Sequence, residues 1–130
     1  MEGEEEYRFI YVIHCDASAR KINDTRTKFS ETKTAETDGR AYARFNPSHS
    51  SSCWYVGSSS DIACRFKEHL GYGARRTYAL HLSSWALELK IPLEIVALRY
   101  SLSVQDDVIG ALEDALWTAL RPMFGRKGRR

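Results

Sequence analysis

The run Tyr7 to His14 (Tyr-Arg-Phe-Ile-Tyr-Val-Ile-His) constrains the fold more than any other part of this chain. It consists almost entirely of β-branched and aromatic residues, the types that fit a pleated, half-buried surface. Alternation puts Tyr7, Phe9, Tyr11 and Ile13 on one face and Ile10 and Val12 on the other. Both faces are apolar, so the segment is expected to be a central strand covered on each side. At 130 residues the chain has enough material for one compact domain spanning 1–130 and too little for two comfortable ones.

From Ala17 to about Ser51 the composition shifts to Thr, Ser, Lys, Glu, Asp and Arg, with Ile22, Phe29, Tyr42 and Phe45 as the main large apolar groups. A stretch of this kind cannot bury enough surface to build a core of its own. It reads as a polar insertion over residues 17–51, functional or disordered, with Asp38-Gly39 as a candidate turn tip. Beyond it, Cys53 to Ser58 reads as a second strand. Ser60 or Asp61 then caps a helix over Ile62 to Leu70 that Gly71 stops. Tyr78 to Glu88 reads as a further helix, Leu93 to Tyr100 as a third strand. Ser103 caps a final helix that runs to about Arg121, with Asp106 and Asp107 near its positive end and Pro122 beyond it. Strands and helices in this order give an α/β chain of the α+β kind.

Composition excludes several classes. With 43% hydrophobic and 28% charged residues the chain is of ordinary globular type, and no apolar run approaches the ~20 residues of a membrane-spanning helix. The acidic start (Glu2, Glu4, Glu5, Glu6) has the wrong sign for a secretory or import signal, so a cytoplasmic location without membrane attachment is expected. The cysteines Cys15, Cys53 and Cys64 show no CxxC spacing. They read as core thiols in preference to a disulfide framework or to a metal site shared with His14 and His49. Net charge is only +2, but its distribution is uneven. Arg75 and Arg76 form one basic spot, and Arg121, Arg126, Lys127, Arg129 and Arg130 crowd a basic tail over 121–130. A basic end can hold phosphates, or can serve as a solvated tail.

Helical spacing singles out a few polar residues. On the helix after Asp61, Ile62, Phe66 and Leu70 make an apolar stripe. Arg65 and His69, four apart, lie at its edge, where a guanidinium beside an imidazole can grip phosphate. On the last helix Ile109, Leu112, Leu116, Ala119 and Leu120 form the stripe, and Glu113 borders it. A carboxylate there must be paired or bound to a cation such as Mg²⁺. On spacing alone the plainer readings are preferred: a surface Arg and a surface His, and a Glu113 that pairs with Arg65 or another arginine.

A resemblance joins these residues. Phe9-Ile10-Tyr11 and Tyr55-Val56-Gly57 are similar to the two tyrosine motifs of the GIY-YIG nucleases. Arg65 follows Tyr55 by ten residues and His69 comes four later, as in that family. Glu113 falls on the closing helix where the family carries its single metal-binding glutamate, with Pro122 after it. The likeness covers Tyr7 to His14 and Trp54 to about Gly125. It implies a small, mostly antiparallel three-stranded sheet flanked by helices, and a DNA endonuclease dependent on Mg²⁺ or Mn²⁺. Tyr11 or Tyr55 would orient or deprotonate the attacking water, Arg65 would neutralise the phosphate, His69 would assist proton movement or hold phosphate, and Glu113 would bind the metal.

Three departures stand out. Phe9 replaces the first glycine of GIY, Gly125 stands where the family commonly has an asparagine, and the insertion separates motifs usually joined by a short hairpin. The insertion could reach around DNA or be a tolerated surface loop. Arg75, Arg76, Arg126 and Lys127 are the candidate DNA contacts. Tyr78, His81 and the tryptophans Trp54, Trp85 and Trp117 read as structural. With no separate DNA-reading domain in the sequence, a homodimer or membership of a larger nuclease assembly is expected. The competing readings are a nucleic-acid-binding module that retains the fold without cutting, and an enzyme using Cys64 or Cys53 with His69.

Overall fold

The computed structural model of the chain describes residues 6–16 and 18–128, without the side chain of Ala19. Glu2, Glu4, Glu5, Ala17, Arg129 and Arg130 lie outside the described residues. Three strands, β1 (Tyr7–Cys15), β2 (Cys53–Ser59) and β3 (Leu93–Ser101), form one antiparallel sheet in the order β2-β1-β3. Helices α1 (Ala19–Thr34), α2 (Ile62–Leu70) and α3 (Asp106–Leu120) flank it. The fold is therefore α+β, with the Tyr7 strand at the centre as its two apolar faces require. Ile10, Tyr11, Ile13 and Cys15 are all buried. None of the helices described is long and apolar enough to cross a membrane.

The insertion behaves differently from the sequence expectation. Ser18 accepts from the Lys21 N–H and caps α1, a 16-residue helix in place of a hairpin. Its inner face is Ile22, Thr25, Arg26 and Phe29, a helical repeat in which Thr25 hides its hydroxyl by donating to the Lys21 carbonyl. Phe29 is fully buried among Tyr42, Trp85 and Phe124, with its ring 4.3 Å from that of Phe124. Tyr42 and Ala43 join the same hydrophobic cluster as Tyr11 and Trp54. The segment that cannot make a core of its own thus completes the core of the sheet. The Asp38-Gly39 turn exists, with Gly39 at φ +75°, but bridges Tyr42 to Ala79 and Phe45 to Phe124 replace a hairpin.

Two other expectations need correction. The expected helix over Tyr78–Glu88 is two short 3₁₀ turns, Leu82–Ser84 and Leu87–Leu89. His81 takes a left-handed backbone at φ 48°, and the Ser84 hydroxyl bonds back to the His81 carbonyl, so an α-helix cannot propagate. The start of the supposed basic tail is core: Met123 and Phe124 are fully buried, and their N–H groups donate to Cys53 and Trp54. Among the described residues of this tail, only Arg121, Arg126 and Lys127 are exposed basic groups.

α2 is capped by Asp61, whose carboxylate accepts the Cys64 N–H, and is ended by Gly71 at φ +108°. α3 starts after Gln105, not at Ser103, with Asp106 and Asp107 in its first turn, and Arg8 of β1 pairs with Asp106.

Candidate active site

β1 and β2 set the first two side chains. Tyr11 pairs with Gly57 across the strands, and its ring stacks on Tyr55 at 6.0 Å with an 8° interplanar angle. A Cβ on Gly57 would lie 2.7 Å from Tyr11 Oη and 2.9 Å from Tyr55 Cε1. Only glycine lets the two phenols meet over the strand. Phe9, by contrast, pairs regularly with Ser59 and has no positive φ, so nothing there requires a glycine.

α2 brings the next two. The stripe turned toward the phenols is Ile62, Arg65, Phe66 and His69, one position out of phase with the expected one: Leu70 is 45% exposed and His69 only 1%. The imidazole is held on both nitrogens. Nδ1 accepts the Leu80 backbone N–H at 3.1 Å, so it carries no proton. Nε2 must then hold the hydrogen and donate it to Tyr11 Oη at 2.8 Å. Burial, and then the nearby Arg65 guanidinium, push the imidazole pKa well below the ordinary histidine range. His69 is therefore a fixed neutral donor behind the site.

Arg65 links the phenols. Its Nε donates to Tyr11 Oη at 3.2 Å and its Nη2 to Tyr55 Oη at 2.9 Å and the Tyr78 carbonyl at 3.0 Å. Nη1 pairs with Glu68 at 2.9 Å. Of the five N–H donors of a guanidinium, these bonds employ four. Tyr11 Oη thus receives two donors, and its own proton has nowhere to go but the open side. Burial, reinforced by Tyr55, pushes the Tyr11 pKa up, against the pull of Arg65.

α3 supplies the carboxylate. Ile109 and Glu113 are its buried residues, whereas Leu112 and Leu120 of the expected stripe are 39% and 37% exposed. The Ser58 hydroxyl donates to Glu113 Oε1 at 2.7 Å. Tyr11, Tyr55, Arg65 and Glu113 line one open cleft of about 630 Å³, with Ser58 and Tyr78 in its walls. His69 is not among the lining residues.

No family model matches the chain, and no characterised protein or solved structure is significantly similar to it.

A divalent cation fits the donors present. Mg²⁺ takes oxygen ligands, keeps several waters and needs only one or two carboxylates. Glu113 is a carboxylate on the wall of a polar cleft, an oxygen donor of the kind such a cation takes. Among the described residues no three His, Cys, Asp or Glu side chains converge as a metal cage.

Of the proposed DNA contacts, Arg126 lines the cleft and Lys127 lines an adjoining one, while Arg75 and Arg76 are exposed on a turn that borders neither. Tyr78, read as structural, is 70% exposed at the cleft wall. His81, Trp54 and Trp85 are buried as expected, whereas Trp117 is half-buried beside the second cleft. Cys15 and Cys53 are core thiols, with Cys53 pushed up to about 12 by burial, but Cys64 is exposed on α2. With both His69 nitrogens occupied, no thiol has it as a base.

Sequence reasoning missed Lys33, Arg44, Ser58 and Asn46. The first three line the cleft, and Asn46 supports its floor. Gly125 has φ +90°, and a Cβ there would lie 2.7 Å from Tyr55 Cε2, so the family's asparagine does not fit at this position. Asn46 reaches the same turn from the insertion, donating to the Pro122 and Gly125 carbonyls at 3.0 and 2.8 Å. No signal in a polar stretch marks which amide will do this.

Proposed function

We propose that this protein is a GIY-YIG-type endonuclease that hydrolyses DNA phosphodiester bonds with one divalent cation, Mg²⁺ or Mn²⁺, bound at Glu113. The observation that carries this reading is the meeting, in one cleft, of two stacked phenols joined by an arginine with a buried carboxylate. The cation would supply electrophilic stabilisation of charge growing on the phosphate. In the reaction the water oxygen forms a new P–O bond, the ester P–O bond breaks, and the water's proton ends on the departing oxygen.

Proton counting divides the labour between the phenols. Tyr55 accepts one N–H from Arg65, which leaves a lone pair and its own proton for the water. Tyr11 accepts from both His69 and Arg65; as a phenol it can only donate into the cleft, and it becomes an acceptor only once ionised. His69 is accordingly a positioning residue, and Arg65 organises the phenols as well as adding positive charge.

Supercoiled plasmid tests the proposal. Metal-dependent nicking or linearisation that EDTA, Arg65→Ala and Glu113→Ala each abolish is expected. Binding without cutting in Mg²⁺ and Mn²⁺ alike would replace it with the non-cleaving nucleic-acid-binding module. Against that alternative stands the cost of keeping a buried carboxylate beside bound phosphate. Association into a homodimer or a larger nuclease assembly accompanies the proposal. The uncovered Ile95, Val96 and Leu98 of β3 and Val108 and Leu112 of α3, all 39–46% exposed, support it.

A further inference from the structure

Arg65 spends four of its donors on the protein itself, so donors for the phosphates that flank the scissile one have to come from elsewhere in the cleft. The insertion is their source. Lys33, in the last turn of α1, and Arg44, in the loop after it, line the cleft, and Arg126 joins them from the C-terminal segment. Gly125 N donates to the Arg44 carbonyl at 2.7 Å, which ties the insertion loop to that segment. The Lys33 ammonium donates to the Ala43 carbonyl at 3.3 Å and is thereby held toward the loop. Among the described residues none of the three has a carboxylate partner. Burial, and then the nearby Arg44 guanidinium, lower the Lys33 pKa.

Arg44 and Arg126 also line a second cleft, of about 420 Å³, whose walls include His49, Trp117 and Lys127. The two clefts therefore share a basic wall. The His49 ring packs on Trp117 at 4.9 Å, and His49 Nδ1 bonds the Pro122 carbonyl at 2.8 Å, so that the aromatic floor is fixed. Phosphates along a basic rim with an aromatic surface beneath make the arrangement that tracks a single nucleic-acid strand.

We propose that the insertion builds a strand-binding track: Lys33, Arg44 and Arg126 hold the phosphates next to the scissile one, and the strand continues into the Trp117–Lys127 cleft. This rests on the nuclease reading for the identity of the ligand, a DNA strand. It assigns the insertion to substrate grip, in place of a tolerated loop.

The test is equilibrium binding, in EDTA, of a fluorescein-labelled DNA strand of roughly 20 nucleotides, longer than the ~4–16 nucleotides such a groove spans. Lys33→Gln, Arg44→Gln and Arg126→Gln are compared with Lys90→Gln, which lines neither cleft. Circular dichroism verifies that each variant is folded. Each of the three should weaken binding roughly tenfold and reduce the slope of log K against log salt by about 0.7, one phosphate's worth. Lys90→Gln should do neither. Unchanged affinity and slope in all three overturns the track. The plasmid assay separates the two ideas. Metal-dependent cutting with unimpaired binding by the three variants removes the track and leaves the nuclease. No cutting in any metal, with binding lost in all three, removes the nuclease and leaves the track.

Discussion

Gly57 shows how one missing atom creates a site. With no Cβ, it lets Tyr11 Oη lie where a methyl group would be only 2.7 Å away. Gly57→Ala should displace both phenols, cost about 1–3 kcal/mol in overpacking, and reduce plasmid cleavage far more than its loss of stability explains. Wild-type cleavage by a folded Gly57→Ala protein would remove the stacked phenols from the mechanism. His69 has a different signature, because burial and Arg65 hold it neutral. The unfolded chain takes up this proton near pH 6.5 and the folded chain refuses it. The stability His69 contributes is therefore full above about pH 6.5 and falls as pH drops below that value, by up to ~1.4 kcal/mol per pH unit. His69→Gln keeps a donor for Tyr11 and an acceptor for Leu80 but does not titrate. In urea unfolding between about pH 6.5 and 5, the wild type should lose more stability than this variant. Parallel losses would show that the imidazole takes up its proton in the folded state.

Among the elements, α1 matters most for distinguishing a core component from an ornament. Phe29 meets Phe124, Trp85 and Tyr42 and is inaccessible to solvent. Phe29→Ala should cost about 3–5 kcal/mol, seen as a large fall in thermal midpoint. A surface excursion would tolerate the same change with almost no loss. β3 stands at the other extreme: among the described residues it pairs only with β1, and Ile95, Val96 and Leu98 are about half exposed. An edge strand with apolar side chains on both faces invites a partner. Its exposure to water is the physical basis for proposing self-association, and sedimentation velocity over a range of concentrations would test it. A 14.9 kDa species at every concentration would exclude a homodimer.

For the whole molecule, the cleft exists because α3, the sheet, α2 and the insertion each contribute one wall. Metal binding gives it a readout independent of cutting. A cation that binds the folded chain stabilises it by mass action, about 1.4 kcal/mol at ten times the dissociation constant. Mg²⁺ should raise the thermal midpoint of the wild type and leave that of Glu113→Gln unmoved, while the same variant cuts no plasmid. An equal Mg²⁺ shift in both proteins would locate the cation away from Glu113.

The sequence by itself determined the central strand, the two flanking strands, the Gly71 stop and the end of the last helix, and it narrowed the cap of α2 to Ser60 or Asp61. These follow from alternation, capping chemistry and backbone freedom, which act over a few residues. It also nominated Tyr11, Tyr55, Arg65, His69 and Glu113 through motif order. Tertiary structure alone decided the rest. Helical periodicity gives the spacing of a buried stripe but not its phase, so His69 in place of Leu70, and Glu113 in place of Leu112, turned inward once neighbouring groups offered bonds. The fate of the insertion was hidden for a related reason. Ile22 and Phe29 are too few to signal a helix when Thr and Ser surround them, and α1 is held by a core whose other half lies elsewhere in the chain. Lys33, Arg44 and Asn46 acquired their places with it, because a polar side chain carries no mark of its partner until the fold brings the two together.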